Sequence, residues 1–142
     1  MTATGAPVAS RATFVVTGLV ATVVAAVATA LAAVLARVAG VEFDVVDGQT
    51  IPVPGFAVVA GFFSLVGVLI AAAFRRWSAR PAALFVRTAV ALTVVSLVPP
   101  LVSGAAAATV VALVVLHLVP AAVMIPALAR SLPRQGLRAT AP

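Results

Sequence analysis

The only histidine of this chain, His117, lies inside one of its most apolar stretches, "VVLHLVPAAV" at residues 114–123. Three hydroxyl side chains, those of Thr22, Ser64 and Thr93, lie inside other apolar stretches. A neutral imidazole carries one hydrogen-bond donor and one acceptor, and hydroxyl groups can pair with both. These residue types therefore predict a polar cluster whose chemistry is either hydrogen bonding or the uptake of a proton or a ligand.

Most other side-chain chemistry is excluded by the composition. The chain has no cysteine, no tyrosine and no lysine, and its acids, Glu42, Asp44 and Asp47, all fall in one short stretch. General acid–base and nucleophilic catalysis both need such groups, and a single histidine without a carboxylate partner is a poor catalytic set. We therefore expect that the protein is not an enzyme and that it has no metal site and no cofactor.

The medium around the chain follows from its hydropathy. Of its 142 residues, 64% are hydrophobic and 8% are charged. Soluble domains average about 45–50% apolar and about 25% charged residues. A chain this short leaves much of its surface outside its own core. The composition therefore predicts that lipid covers the apolar surface.

Four segments are long enough to cross a bilayer, since a spanning helix needs about 20 apolar residues. They are residues 12–39, 54–74, 81–101 and 104–130. The expected fold is an all-α membrane protein, an antiparallel four-helix transmembrane bundle that forms a single domain over residues 12–130. Residues 1–11 precede it, an outer loop covers 40–53, and a basic tail covers 131–142.

The arginines predict the orientation. Four spans place both termini and the second connection on one side, which then holds all arginines except Arg37, whereas the acids lie with Arg37 on the other side. The positive-inside rule puts the arginine-rich side in the cytoplasm. We expect a multi-pass protein of the plasma membrane with cytoplasmic termini. The net charge of +6 is then explained by topology, and no nucleic-acid partner is expected.

The outer loop has the pattern of a β-hairpin. Its residues 41–46 alternate apolar and acidic side chains, and the pair Asp47-Gly48 is typical of a tight type I′ turn. We expect 41–46 to pair with 49–53. A calcium loop is the weaker alternative, because the spacing of the acids does not match an EF-hand.

Depth along the helices brings the polar residues to one level. At about 1.5 Å per residue, His117 lies roughly 20 Å from both Gly104 and Arg130. The other three lie roughly 16–20 Å above the basic boundary. The predicted midplane site is Thr22, Ser64, Thr93 and His117. It is either a neutral hydrogen-bonded hub or a proton or ligand site, because ionisable groups inside a membrane are candidates for function.

Arg87 is a second unusual residue. It lies roughly 10 Å into the third segment, where an unpaired charge costs up to about 2.5–3.5 kcal/mol. Its long side chain can extend to a lipid phosphate, or it can bind an anion in a cavity open to the cytoplasm. Both interpretations give Arg87 an anionic contact on the cytoplasmic side.

The stretches "FVRTAVALTVVSLVPPL" and "LHLVPAAVMIPALAR", together with the loop "VEFDVVDGQTIPVPGF", resemble a family of small four-helix membrane proteins from actinobacteria, domain of unknown function 6069. The resemblance extends over most of the chain from Arg11 to Arg130. It implies a four-helix membrane topology, and it transfers no catalytic residue.

Two classes of function remain. The first is a structural or accessory four-helix bundle that binds lipid or a partner, with membrane lipids, another membrane subunit or a second copy of the chain as partners. The alternative is a small transporter or channel that uses His117 at the bilayer midplane.

Overall fold

The computed structural model describes residues 10–45 and 49–133. The helices are α1 (Arg11–Val38), α2 (Val53–Trp77), α3 (Pro81–Ser96), α4 (Val98–Val102) and α5 (Ala107–Ser131), and the strands are β1 (Asp44–Val45) and β2 (Gln49–Thr50). Four helical segments are long and apolar enough to cross a membrane, α3 and α4 together forming the third. The expectation of an all-helical protein with four candidate spans is confirmed.

The helix ends differ by a few residues from the segments 12–39, 54–74 and 104–130, because local capping fixes them. The hydroxyl of Ser10 accepts a hydrogen bond from the backbone N–H of Thr13 at 3.1 Å and caps the start of α1. Helix α1 ends before Gly40, whose φ of 91° is easily adopted only by glycine. Helix α2 continues through Arg75 and Arg76, whose charges are favourable in its last turn.

Two prolines divide the third segment, which the hydropathy presents as one run over 81–101. Pro99 and Pro100 have no backbone N–H and stand in the first turn of α4. The α-helical ladder is interrupted at Leu97, whose N–H bonds to the carbonyl of Val94, only three residues back, at 3.2 Å. Helix α3 alone, at about 1.5 Å per residue, is roughly 24 Å long, so α4 completes the length needed to cross a bilayer.

Helix α1 packs against α2 and α5, and α3 packs against the same two helices. The buried face of α1 is made largely of small residues, which allow a close approach of the neighbouring helix. A β-carbon added to Gly18 would lie 3.0 Å from Cγ1 of Val68, and one added to Gly61 would lie 3.9 Å from Cβ of Ala26. Only the first of these distances is shorter than an ordinary contact, so the close approach of α1 to α2 depends on glycine at Gly18.

The connection between α1 and α2 contains the two strands, which pair antiparallel with Asp44 opposite Thr50. The paired region is two residues per strand, shorter than the predicted 41–46 and 49–53. Strand β1 begins only after Phe43, because the φ of Phe43 is 35°, outside the extended region. Strand β2 cannot continue through Pro52, which has no N–H to donate to a ladder. The predicted turn, Asp47-Gly48, lies outside the described residues.

Phe43 attaches this connection to the helices. Its side chain is 1% exposed, and its ring lies 4.8 Å from that of Phe56 in a tilted arrangement. It belongs to an apolar cluster with Ala33, Leu113 and Leu116 at one end of the helices. Burial of this ring compensates for its unfavourable backbone conformation.

Candidate functional site

A cavity of about 250 Å³ lies between α2, α3 and α5, and α1 contributes only Thr29 to its lining. Its walls are mostly apolar, with aromatic side chains such as Phe56 and Phe85. It reaches the surface of the helices, because the lining residues Phe63 and Leu92 are 64% and 51% exposed. The polar side chains in the lining are those of Thr29, Ser64, Thr93, Ser96 and His117.

The cavity brings together three members of the predicted midplane site. Ser64 comes from α2, Thr93 from α3 and His117 from α5. Thr22 does not line the cavity. It is 8% exposed on the face of α1 that packs against its neighbours, and α2 and α5 stand between α1 and α3. Depth grouped Thr22 with the others, but depth does not decide the lining, because Thr29, two turns further along the same face of α1, lines the cavity instead.

Two polar lining residues, Thr29 and Ser96, are absent from the predicted site. Thr29 follows Thr22 by two helical turns, and Ser96 follows Thr93 by one, so both pairs share a helix face. This periodicity is the signal that could have identified them. It is weak, because hydroxyl residues at such spacing also occur where helices simply pack closely.

The imidazole of His117 bonds within its own helix. Nδ1 lies 2.7 Å from the backbone oxygen of Leu113. A carbonyl oxygen can only accept, so Nδ1 carries the hydrogen, and in a neutral ring Nε2 is left as an acceptor. Among the described residues no hydrogen bond joins His117 to Thr22, Ser64 or Thr93, so the expected hub between helices does not form there.

The hydroxyl groups around the ring also bond within their own helices. Thr29 donates to the carbonyl of Ala25 at 2.8 Å, and Thr93 donates to that of Ala89 at 2.8 Å. Ser96 donates to the carbonyl of Thr93 at 2.7 Å. Such local bonds compete with bonds between helices, which explains why the polar residues meet at the cavity without bonding to one another.

Ser64 is the exception. It is 4% exposed, and its Oγ has no hydrogen-bond partner in the structure described. Buried polar atoms in folded proteins nearly always have a partner, so an orphaned one needs a specific explanation. Ser64 also lines the cavity, so a buried hydroxyl without a partner among the described residues lies beside this space.

Arg87, the other predicted site residue, is exposed. It lines a separate cleft of about 650 Å³ between the end of α2 and the start of α3, together with Trp77, Arg80 and Leu84. Arg80 was not singled out from the sequence as an anion contact, although it lies two helical turns before Arg87. Among the described residues no acidic side chain lines this cleft, and its two charged side chains, Arg80 and Arg87, are both positive.

No set of three or more metal-binding side chains occurs within residues 10–45 and 49–133. Among curated proteins and solved structures, no match to the chain is found. A family profile, described as Family of unknown function (DUF6069), matches residues 9–134. The chain belongs to this family. The matched range contains the residues of all four candidate spans, of the cavity and of the arginine cleft.

Proposed function

We propose that this chain is a multi-pass membrane protein that binds an apolar, membrane-soluble molecule in the cavity between α2, α3 and α5. One observation carries the proposal: a mostly apolar cavity contains a buried hydroxyl, that of Ser64, with no partner among the described residues. Binding sites for small molecules have this character, with apolar walls and a few polar groups that fix orientation.

The surface of the helices supports residence in a membrane. Large apolar side chains are exposed along the length of α1 and α2, such as Val23 at 62% and Leu69 at 69%. In water such a surface would lead to association, whereas in a bilayer it is solvated by acyl chains. The outer connection, with its short paired strands, would then lie at the membrane surface.

An antiparallel arrangement of the four spans is part of the proposal. It is supported by the two glycine contacts, because Gly18 lies against Val68 and the later residue Ala26 lies against the earlier residue Gly61. Among the described residues, the arginines other than Arg37 then gather at one end, which the positive-inside rule assigns to the cytoplasm. We propose the plasma membrane as the location, with cytoplasmic termini.

At the cytoplasmic end, the cleft with Arg80 and Arg87 would hold the phosphate of a membrane lipid. Guanidinium groups match phosphate oxygens in geometry and charge. Trp77, which is 81% exposed at the same cleft, is a residue type that prefers the level of the lipid headgroups. A lipid phosphate here would neutralise Arg87 without an acidic side chain.

We propose no catalytic activity. Among the described residues, His117 is the only titratable side chain in the cavity lining, and catalysis by a single imidazole without a second acid, base or nucleophile is inefficient. The alternative function, a small transporter or channel, is favoured by the same residue, because a histidine that exchanges protons inside a membrane could couple movement of a substrate to proton flow.

Filling the cavity tests the proposed binding function. A β-carbon added to Gly67, which lines the cavity, would meet no atom within 4 Å. Gly67→Leu therefore places a side chain in the empty space. Purified wild-type protein in nanodiscs should retain apolar molecules from the host membrane, detected by mass spectrometry, and the filled variant should retain fewer. Equal retention by both proteins would contradict binding in the cavity.

Orientation needs a separate test. Reporter fusions within the outer connection, at Thr50, should read as extracytoplasmic, and fusions at Ser78 and Pro142 should read as cytoplasmic. The opposite pattern would overturn the orientation but would leave cavity binding intact.

A further inference from the structure

The polar groups of the cavity are strongly biased toward acceptors. Thr29, Thr93 and Ser96 each donate their hydroxyl hydrogen to a carbonyl of their own helix. A hydroxyl oxygen that has donated its hydrogen still has lone pairs to accept with. Each of these side chains therefore presents an acceptor and no donor to a molecule in the cavity.

His117 adds a nitrogen acceptor. Because Nδ1 donates to the carbonyl of Leu113, Nε2 of the neutral ring has a free lone pair. The neighbouring Pro120 adds to this excess of acceptors, because it has no N–H to donate to the carbonyl of Leu116, four residues earlier. Leu116, His117 and Pro120 all line the cavity, so a weakened point in the α5 ladder lies beside the imidazole.

The break between α3 and α4 has a similar consequence. Pro100 cannot donate to the carbonyl of Ser96, and Ser96 lines the same cavity. Two carbonyls without their usual helical donors therefore belong to residues of the lining. Against this set of acceptors, the hydroxyl of Ser64 is the single side-chain donor without a partner in the described lining.

We propose that the cavity selects a neutral, membrane-soluble alcohol. This inference rests on the proposed binding function and specifies its ligand. A hydroxyl group donates to Nε2 of His117 or to a hydroxyl oxygen, and it accepts from Ser64, so it satisfies both kinds of group. A ketone or ether satisfies only Ser64 and leaves the acceptors unpaired.

Charged ligands fit the same lining poorly. An ammonium group could donate to the acceptors, but no acidic side chain lines the cavity to neutralise it, and a charge in apolar surroundings is costly without a partner. A carboxylate would face oxygen acceptors. The volume of about 250 Å³ exceeds the roughly 150 Å³ that takes up benzene, so a chain of about eight carbons is a suitable probe.

Three probes with eight carbons separate the possibilities: octan-2-ol, octan-2-one and octane. Binding to the full chain in phosphatidylcholine nanodiscs would be measured as a saturable shift of the unfolding temperature, with Gly67→Leu as the blocked control that reports partition into lipid alone. Octan-2-ol should bind at least about threefold more tightly than octan-2-one, the factor for one average polar contact inside a membrane. The ¹⁵N resonance of Nε2 in labelled protein should move only with the alcohol.

Substitutions assign the preference to the cavity. His117→Leu should reduce the alcohol-to-ketone ratio by about threefold, whereas Thr22→Val, which alters a buried hydroxyl outside the cavity, should leave it unchanged. If His117→Leu does not fold, Ser64→Ala gives an independent test: without the single donor, the ketone should lose affinity more than the alcohol, and the ratio should rise.

The outcomes distinguish the two proposals. Saturable binding of the ketone with affinity equal to or above that of the alcohol would overturn the selection of an alcohol while leaving the binding function in place. Absence of saturable binding by all three probes, relative to Gly67→Leu, would overturn the binding function itself.

Discussion

Thr22 and Thr29 lie two turns apart on the same face of α1, and each donates its hydroxyl to the carbonyl four residues earlier, but only Thr29 lines the cavity. The two residues are therefore a matched pair with the same local bond and different surroundings. They allow an effect on the fold to be separated from an effect on the cavity.

We expect Thr22→Val and Thr29→Val to change the free energy of unfolding by less than about 1 kcal/mol each, because the lost bond is made to a carbonyl of the same helix. Only Thr29→Val should alter the binding of octan-2-ol. Thermal unfolding with and without the alcohol measures both quantities. A large loss of alcohol binding in Thr22→Val would show that the cavity extends to α1 beyond Thr29.

Alanine substitutions at two glycines should have opposite effects. Gly67→Ala introduces a methyl group into open space and removes the helix-weakening effect of glycine, so stability should rise by up to about 1 kcal/mol. Gly18→Ala places Cβ 3.0 Å from Cγ1 of Val68, so the Val68 side chain must shift by a few tenths of an ångström, and overpacking typically costs about 1–3 kcal/mol. Reversible unfolding in mixed micelles would measure the free energy of unfolding of both variants. Equal effects at both sites would contradict the described α1–α2 contact.

Removing the hydroxyl of Ser64 should not destabilise the protein. Its Oγ makes no hydrogen bond among the described residues, so Ser64→Ala removes a buried polar atom without breaking a bond. We expect unchanged or higher stability, by up to about 1–2 kcal/mol. Ser131→Ala is the control, because Ser131 is buried and donates to the carbonyl of Leu128 at 2.8 Å. Loss of stability in Ser64→Ala alone would indicate a partner for Ser64 in the membrane-embedded protein.

Two substitutions of His117, by asparagine and by leucine, test its structural role. Asparagine retains a donor and an acceptor, so His117→Asn should unfold close to wild type, whereas His117→Leu should cost no more than about 1–2 kcal/mol. Equal impairment of both variants would instead favour the transport hypothesis.

Phe43 should be the main attachment of the outer connection to the helices. Phe43→Ala empties a site in which the ring is 1% exposed, and comparable truncations in protein cores cost about 3–5 kcal/mol. Phe62→Ala is the control, because Phe62 is 60% exposed and would contact lipid in both folded and partly unfolded states. Hydrogen exchange of the backbone N–H of Ile51, which donates to the carbonyl of Phe43 at 3.2 Å, should accelerate only in Phe43→Ala.

The amino-acid sequence by itself determined the helices and the residue types available for chemistry. Helix length and hydropathy are local properties, so four apolar segments translate directly into four long helices. Prolines act locally too: Pro99 and Pro100 lie where α3 gives way to α4. The absence of cysteine, lysine and tyrosine limited the chemistry before any fold was known.

Only the tertiary structure decided which polar residues share a cavity. Depth along a helix can be counted from its ends, and the count placed Ser64, Thr93 and His117 at one level, together with Thr22. The direction of each side chain depends on how a helix is rotated against its neighbours, and in lipid that rotation is set by close packing of small residues. On α1 the residue that reaches the cavity is Thr29, two turns beyond Thr22 on the same face, so the position of the cavity among the packed helices, and not a depth counted along one helix, decides which residues line it.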